Sequence, residues 1–353
     1  MSKRKLRVAD YISPILVVGA LVALARVEPE IEYTEMATPA IERRDRFYGV
    51  ASPTENVIWL AGKEGKVVRS ENGGDDWTVQ QLPVVAPMQA IVAWDEEHAV
   101  TLGNGGAAFY THDGGDNWIQ AEVPVSDISK KILSAKIDPK GRVWATAEFG
   151  VIVYSDDKGV TWSQASTDKV AAETDEAVDE VEDDPYASYD SGEDIAWNSI
   201  GFNGENGLVA VGEFGSVKLS VDNGLTWSYP EATIESSLMS VEFRDASNGV
   251  AVGLEGAMLY TSDGGQTWGQ APKLTRQHLF DVTWDGQQWV AVGEKGIILF
   301  GEADGESWTR ERLAESEYSW HTDILATANG YLVAGLDAGY WSNGEWRRFR
   351  GEH

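Results

Sequence analysis

The chain has no cysteine among its 353 residues. Disulfides, thiol nucleophiles and cysteine-held zinc are therefore excluded. Basic residues are scarce too: 28 Lys and Arg stand against 57 Asp and Glu, a formal net charge of −29. A surface of that sign repels phosphate backbones and anionic lipid, so no nucleic-acid partner is expected. The five histidines, at positions 98, 112, 278, 321 and 353, show no metal-binding spacing such as His-x-x-x-His, and no metal or other cofactor is expected.

One long apolar run is present, and it lies at the N-terminus. Lys3, Arg4, Lys5 and Arg7 precede a stretch from Tyr11 to Ala25 that ends in Ala-Leu-Ala. A basic flank, an apolar segment and a small-residue cleavage pattern outline an export signal, and the run is also just long enough to stay as a short anchor. Residues 1–26 are read as a signal or membrane-anchor segment and 27–45 as a linker, with the basic flank in the cytoplasm and the rest in the periplasm at the inner membrane.

Glycine and tryptophan are abundant, at 37 and 15 residues. Much of both goes into one repeated pattern, seen most fully in "LYTSDGGQTW" at 259–268. Counted back from the tryptophan, Ser or Thr stands at −7, Asp at −5, Gly at −3 and Thr at −1. Asp113, Asp157, Asp222 and Asp263 hold the −5 position in four copies, and Asn72 holds it in another. Weaker copies end at Trp308 and Trp346, which makes seven. A carboxylate and a hydroxyl in a tight turn accept hydrogen bonds from the N–H groups that follow, and glycine supplies a positive φ. The motif is thus expected to be an architectural turn.

The motif tryptophans are 41, 44, 65, 41, 40 and 38 residues apart, the period of a four-stranded propeller blade. Each repeat aligns as a short strand A, a hairpin B–C such as "VAVGEFGSVKLS" and a strand D opened by the tryptophan. The fold class expected is all-β, a seven-bladed β-propeller over 46–353 in which every blade supplies its own four strands. The long spacing holds an insertion, 166–194, between blades 3 and 4, with twelve acidic residues and one lysine.

Seven such turns resemble the Asp-box (BNR) propellers. The run at 250–268, "VAVGLEGAMLYTSDGGQTW", is similar to the photosystem II stability and assembly factor family and its bacterial relatives. That resemblance implies an exported, non-enzymatic propeller that assists a membrane complex. It also brings in the relatives that accompany exporters of the resistance-nodulation-division (RND) superfamily. An accessory or assembly subunit of an RND-type exporter is the first expectation, and a photosystem-type assembly factor an alternative.

Sialidases carry the same turns, so an exported glycoside hydrolase is a second alternative. They need three converging arginines and an Arg-Ile/Leu-Pro segment near the start; "RRDRFYGV" lacks the segment. Arg69, Arg142, Arg276, Arg310 and Arg347 fall on outer strands, turns or connectors. A small-ligand site in the central channel is a third reading. Alternating strand direction puts B–C turns and D–A connectors on one face. The B–C turns carry Glu64, Glu148, Glu213, Glu255, Glu294 and Asp337, with Asn104 in the remaining blade. These acids and the insertion would form an electronegative docking surface for a basic partner, unless they are ordinary solvated turns.

Overall fold

A computed structural model describes residues 39–125, 130–167 and 195–349. The N-terminal signal or anchor, most of the linker and nearly all of the acidic insertion lie outside the described residues. The remainder forms seven antiparallel sheets, each built from strands consecutive in sequence. Among the described residues no sheet borrows a strand from another part of the chain, and the expected seven blades are present.

Strand B is the core of every blade. Ile58–Gly62, Leu208–Gly212 and Trp289–Gly293 are buried at all five positions, because they have neighbours on both flanks and blades packed on both faces. Apolar clusters cross the blade boundaries: Val100 and Leu102 of blade 2 pack with Val143 and Ala145 of blade 3. At the seam, Leu60 and Val68 of blade 1 meet Leu332 and Ala334 of blade 7. The ring therefore closes by packing and side-chain bonds. Asp323 Oδ2 accepts from Val50 N at 2.7 Å, and Arg347 pairs with Asp75 at 2.9 Å.

One blade departs from expectation. Blade 4 has three strands, and its fourth is reduced to a single bridge between Leu219 and Ser228. Pro230 follows two residues later and has no N–H to extend the ladder.

The Asp-type turns join strands C and D as expected, and the Asp carboxylate and the Ser or Thr hydroxyl of blades 2 to 5 are satisfied internally. In blade 5, Thr261 Oγ1 donates to Asp263 Oδ1 at 2.9 Å and accepts from Gly265 N at 3.0 Å. Asp263 in turn accepts from Thr267 N at 2.9 Å and Thr267 Oγ1 at 2.6 Å. Asp113, Asp157 and Asp222 repeat the pattern. Burial tends to raise the pKa of Asp263, but the bonds from Thr267 and Thr261 prevail and hold it below the ordinary value. The motif glycine has φ +90 at Gly265, where a Cβ would come 3.1 Å from Val209 of the preceding blade. The turn thus fixes one blade against the next.

Candidate interaction face and central channel

The B–C turns are held to the chain that enters strand A. Glu213 N donates to Ala196 O, Glu294 N to His278 O and Leu254 N to Ser237 O. The turn glycine then contacts the D–A connector, as when Gly150 N donates to Ile195 O at 2.8 Å. That bond places Ile195, where the described chain resumes after the insertion, on the B–C face.

The six acids expected to form a ring occupy two different turn positions. Glu148, Glu213 and Glu294 stand first, where the side chain folds back. Glu213 Oε2 accepts from Ala196 N at 3.1 Å, Glu294 Oε2 accepts from His278 N at 3.3 Å, and Glu148 pairs with Lys131 at 3.7 Å. Glu64 and Glu255 stand second and are exposed, Glu64 in an ion pair with Lys63 at 2.8 Å. The ion pair and hydrogen bond from Lys63 hold the Glu64 carboxyl below its ordinary pKa.

Asp337 corrects the expectation of an exposed acid in blade 7. It is 7% exposed and lies 3.5 Å from Arg348 Nε, beside the fully buried Glu317, which takes Arg348 Nη2 at 2.7 Å. Burial opposes ionisation of Glu317, but the bonds from Arg348 and Ser319 win and lower its pKa to about 2. His321 sits against the same cluster, and burial pushes its pKa down to about 4.

The second turn position has a positive φ in six blades, with Glu64, Gly105, Phe149, Phe214, Glu255 and Lys295 between +56 and +72. Glycine suits this conformation, and bulky residues are strained in it. Blades 3 and 4 nevertheless place phenylalanine there, and Phe214 is 74% exposed. Tyr318, Val85 and Leu274 on the D–A connectors are exposed on the same face.

Strand A of each blade lines a central channel: Phe47–Ala51, Met88–Ala93, Ile132–Ile137, Trp197–Phe202, Leu238–Phe243, Leu279–Trp284 and His321–Thr327. In all seven, pairing with strand B skips the second residue. The bulge sends Tyr48, Gln89, Leu133, Asn198, Met239, Phe280 and Thr322 to the wall of a cavity of about 510 Å³.

Beside Lys131, four further charged groups line the channel, and the sequence reading did not single them out. Lys136 of blade 3 reaches past blade 4 to Glu242 Oε2 at 2.7 Å and Val241 O at 2.8 Å in blade 5. Asp281 accepts from Ser240 Oγ at 2.6 Å and Ile324 N at 2.9 Å. Burial, together with the neighbouring Asp281 charge, pushes the pKa of Asp323 well above the usual carboxylate range. Burial works against the Lys136 ammonium, yet Glu242, Asp281 and Asp323 together raise its pKa. Asp323, two residues after His321, is part of the channel. The signal available was three acids and a lysine at inward positions of the innermost strand.

The arginines do not converge. Arg69 pairs with Glu71, Arg142 with Asp156 at 2.7 Å and Arg347 with Asp75, while Arg310 donates to Gln277 at 3.4 Å. Among the described residues, no group of three or more His, Asp or Glu is arranged to hold a metal ion.

This ring of blades, turns and channel has known counterparts. Residues 219–329 match the family model of the photosynthesis system II assembly factor YCF48. Two solved structures of YCF48 share the fold. One is described as YCF48 bound to D1 peptide, with 15% identity, a TM-score of 0.63 and coverage of 88% of this chain and 93% of that one. The other is YCF48 from Cyanidioschyzon merolae, with 14% identity, a TM-score of 0.63 and coverage of 88% and 97%. A catalytically inactive virginiamycin B lyase from Staphylococcus aureus, with quinupristin, is similar at 11% identity, a TM-score of 0.65 and coverage of 84% and 93%. No curated protein matches in sequence. At these identities the solved structures establish the propeller fold that this chain shares with YCF48 and with an enzyme alike.

Proposed function

We propose that the protein is a non-catalytic assembly or accessory factor that holds a segment of a partner membrane protein on its B–C face, centred on blades 3 and 4. The observation that carries this reading is the pair Phe149 and Phe214. Glycine fills the same turn position in blade 2, so phenylalanine there accepts a backbone strain of about 1 kcal/mol or more, and Phe214 adds exposed apolar surface. Glu64, Glu255 and Lys295 take the same conformation with polar side chains, so what sets blades 3 and 4 apart is an aromatic ring at that position, and an aromatic pair in two neighbouring blades points to a contact made outside the fold.

The family match and the likeness to a YCF48 bound to D1 peptide support the assembly-factor form of this reading. An RND-type exporter as the partner, and a periplasmic position held by residues 1–26, rest on the sequence alone and are part of the same proposal. Glu64, Glu148, Glu213, Glu255 and Glu294 would favour a segment that is basic as well as apolar.

Phe149→Gly with Phe214→Gly tests the idea because stability and binding should move in opposite directions. Relief of strain should leave the melting temperature unchanged or higher, while capture of the partner from detergent-solubilised membranes is lost. Undiminished capture by the double variant would remove blades 3 and 4 as the docking centre.

A further inference from the structure

On the face opposite the B–C turns, two histidines of blade 2 oppose each other. Strand B, Ala99–Gly103, and strand C, Ala108–Thr111, pair in register from Leu102 with Ala108 to Ala99 with Thr111. One step beyond that last pair stand His98 and His112. Side chains directly opposite on antiparallel strands are close neighbours, and here the ring centroids are 5.4 Å apart with 66° between the planes. Two imidazoles on one metal ion, each nitrogen about 2 Å from it, stand roughly 5–6 Å apart centre to centre. The fold thus brings together a ligand pair that histidine spacing along the chain does not show.

The proton on His98 is placed by its neighbours. Asp95 Oδ1 lies 2.7 Å from His98 Nδ1 and also accepts from the N–H groups of Glu97 and His98. Lys158 Nζ of blade 3 donates to its other oxygen at 3.0 Å. Burial opposes ionisation of Asp95, but the bonds from His98, Lys158 and the backbone hold its pKa below the ordinary carboxylate value. An ionised carboxylate only accepts, so Nδ1–H donates to it and the neutral ring keeps its lone pair on Nε2. A carboxylate behind a histidine in this way fixes the ring and raises its basicity as a metal ligand. His112 is exposed and stacks against His98 and Tyr110, with no hydrogen bond among the described residues.

No third His, Asp or Glu joins the pair among the described residues, so a closed zinc site is not formed. Copper(II) suits two nitrogens completed by water: it binds such ligands most tightly of the divalent first-row ions and takes a tetragonal arrangement. A net charge of −29 concentrates cations around the molecule.

We infer that His98 and His112 form a copper(II) site at the open end of the blade 2 hairpin, with His98 bound through Nε2 and water filling the remaining positions. The ion ties the ends of strands B and C together.

The test titrates the whole protein, stripped of metal, with copper(II) at pH 7.5 in a non-coordinating buffer, with excess magnesium to occupy scattered carboxylates. Electron paramagnetic resonance at one equivalent should show two equatorial imidazole nitrogens. Asp95→Asn should weaken binding about tenfold or more, and His98→Ala or His112→Ala should weaken it further. His278→Ala, on the other face, should leave it unchanged. Binding should fall as pH drops below about 6.5, where imidazole is protonated. Copper should raise the melting temperature of the parent but not of His112→Ala. His112 is exposed, so its variant carries the decision should His98→Ala not fold. A spectrum with fewer than two imidazole nitrogens, or equal binding by the parent and His112→Ala, would overturn the proposal.

Discussion

Lys218 shows how much a single position can cost. Its ammonium lies 4.6 Å from the ring centroids of both Trp197 and Trp227, and the residue is 4% exposed. Burial lowers its pKa from 10.5 to about 7. Between those two values the unfolded chain binds the proton more readily than the native one, so stability rises with pH across that window. The penalty is fully present below pH 7 and fades towards pH 10.5. Lys218→Met should therefore raise the melting temperature by about 2–4 °C at pH 6, with the gain shrinking by pH 10, as thermal scans across pH would show. The two aromatic contacts set a limit on the gain.

Legibility in the sequence follows the distance between partners. The bonds of the Asp263 turn close within four residues, and its chemistry could be read directly. Asp281 meets Ser240 across 41 positions, and Lys136 meets Val241 across 105. The channel cluster depends on blades brought together by closure of the ring, and within a single blade its only sign is one charged residue at an inward position of strand A.

At the scale of the element, the B–C turn was legible as a hairpin but not as a strained one. The glycine pair marks its position, whereas the left-handed conformation of the residue between them appears only in the backbone. Two glycines of equal φ separate strain from crowding. Gly215, at φ +71, faces Ile234 O, which a Cβ would approach to 1.9 Å; Gly105, at φ +72, has open space around it. Gly105→Ala should cost about 1–2 kcal/mol for conformation alone. Gly215→Ala should cost clearly more, because the connector entering the next blade must also shift, and urea denaturation of both variants measures the difference. Strand D of blade 4 was misjudged for a related reason: the tryptophan that opens it was counted, while Pro230, which ends it, was not.

At the scale of the molecule, a net charge of −29 would give the proposed docking face a direction as well as contacts. Such a field mainly accelerates and orients encounter, and salt screens it. Glu213→Gln, Glu255→Gln and Glu294→Gln together should slow association with the captured partner and flatten its dependence on salt. Melting should hardly change, because glutamine still accepts the N–H bonds of Ala196 and His278. An unchanged association rate across a salt series would show that these carboxylates only complete their turns.

The seam between blades 1 and 7 has a consequence of a different kind. Many closed rings share a strand across their ends, so that gaining or losing a unit breaks the register of the closing sheet. Among the described residues every sheet is contiguous in the chain, and the ends meet through side chains such as Arg347 on Asp75 and Phe349 on Trp77. Duplication or deletion of one repeat-length stretch of gene would therefore insert or remove one whole blade and leave the same two surfaces to meet. Blade number is open to change by a single genetic event, and the seam is where such a descendant would have to fit.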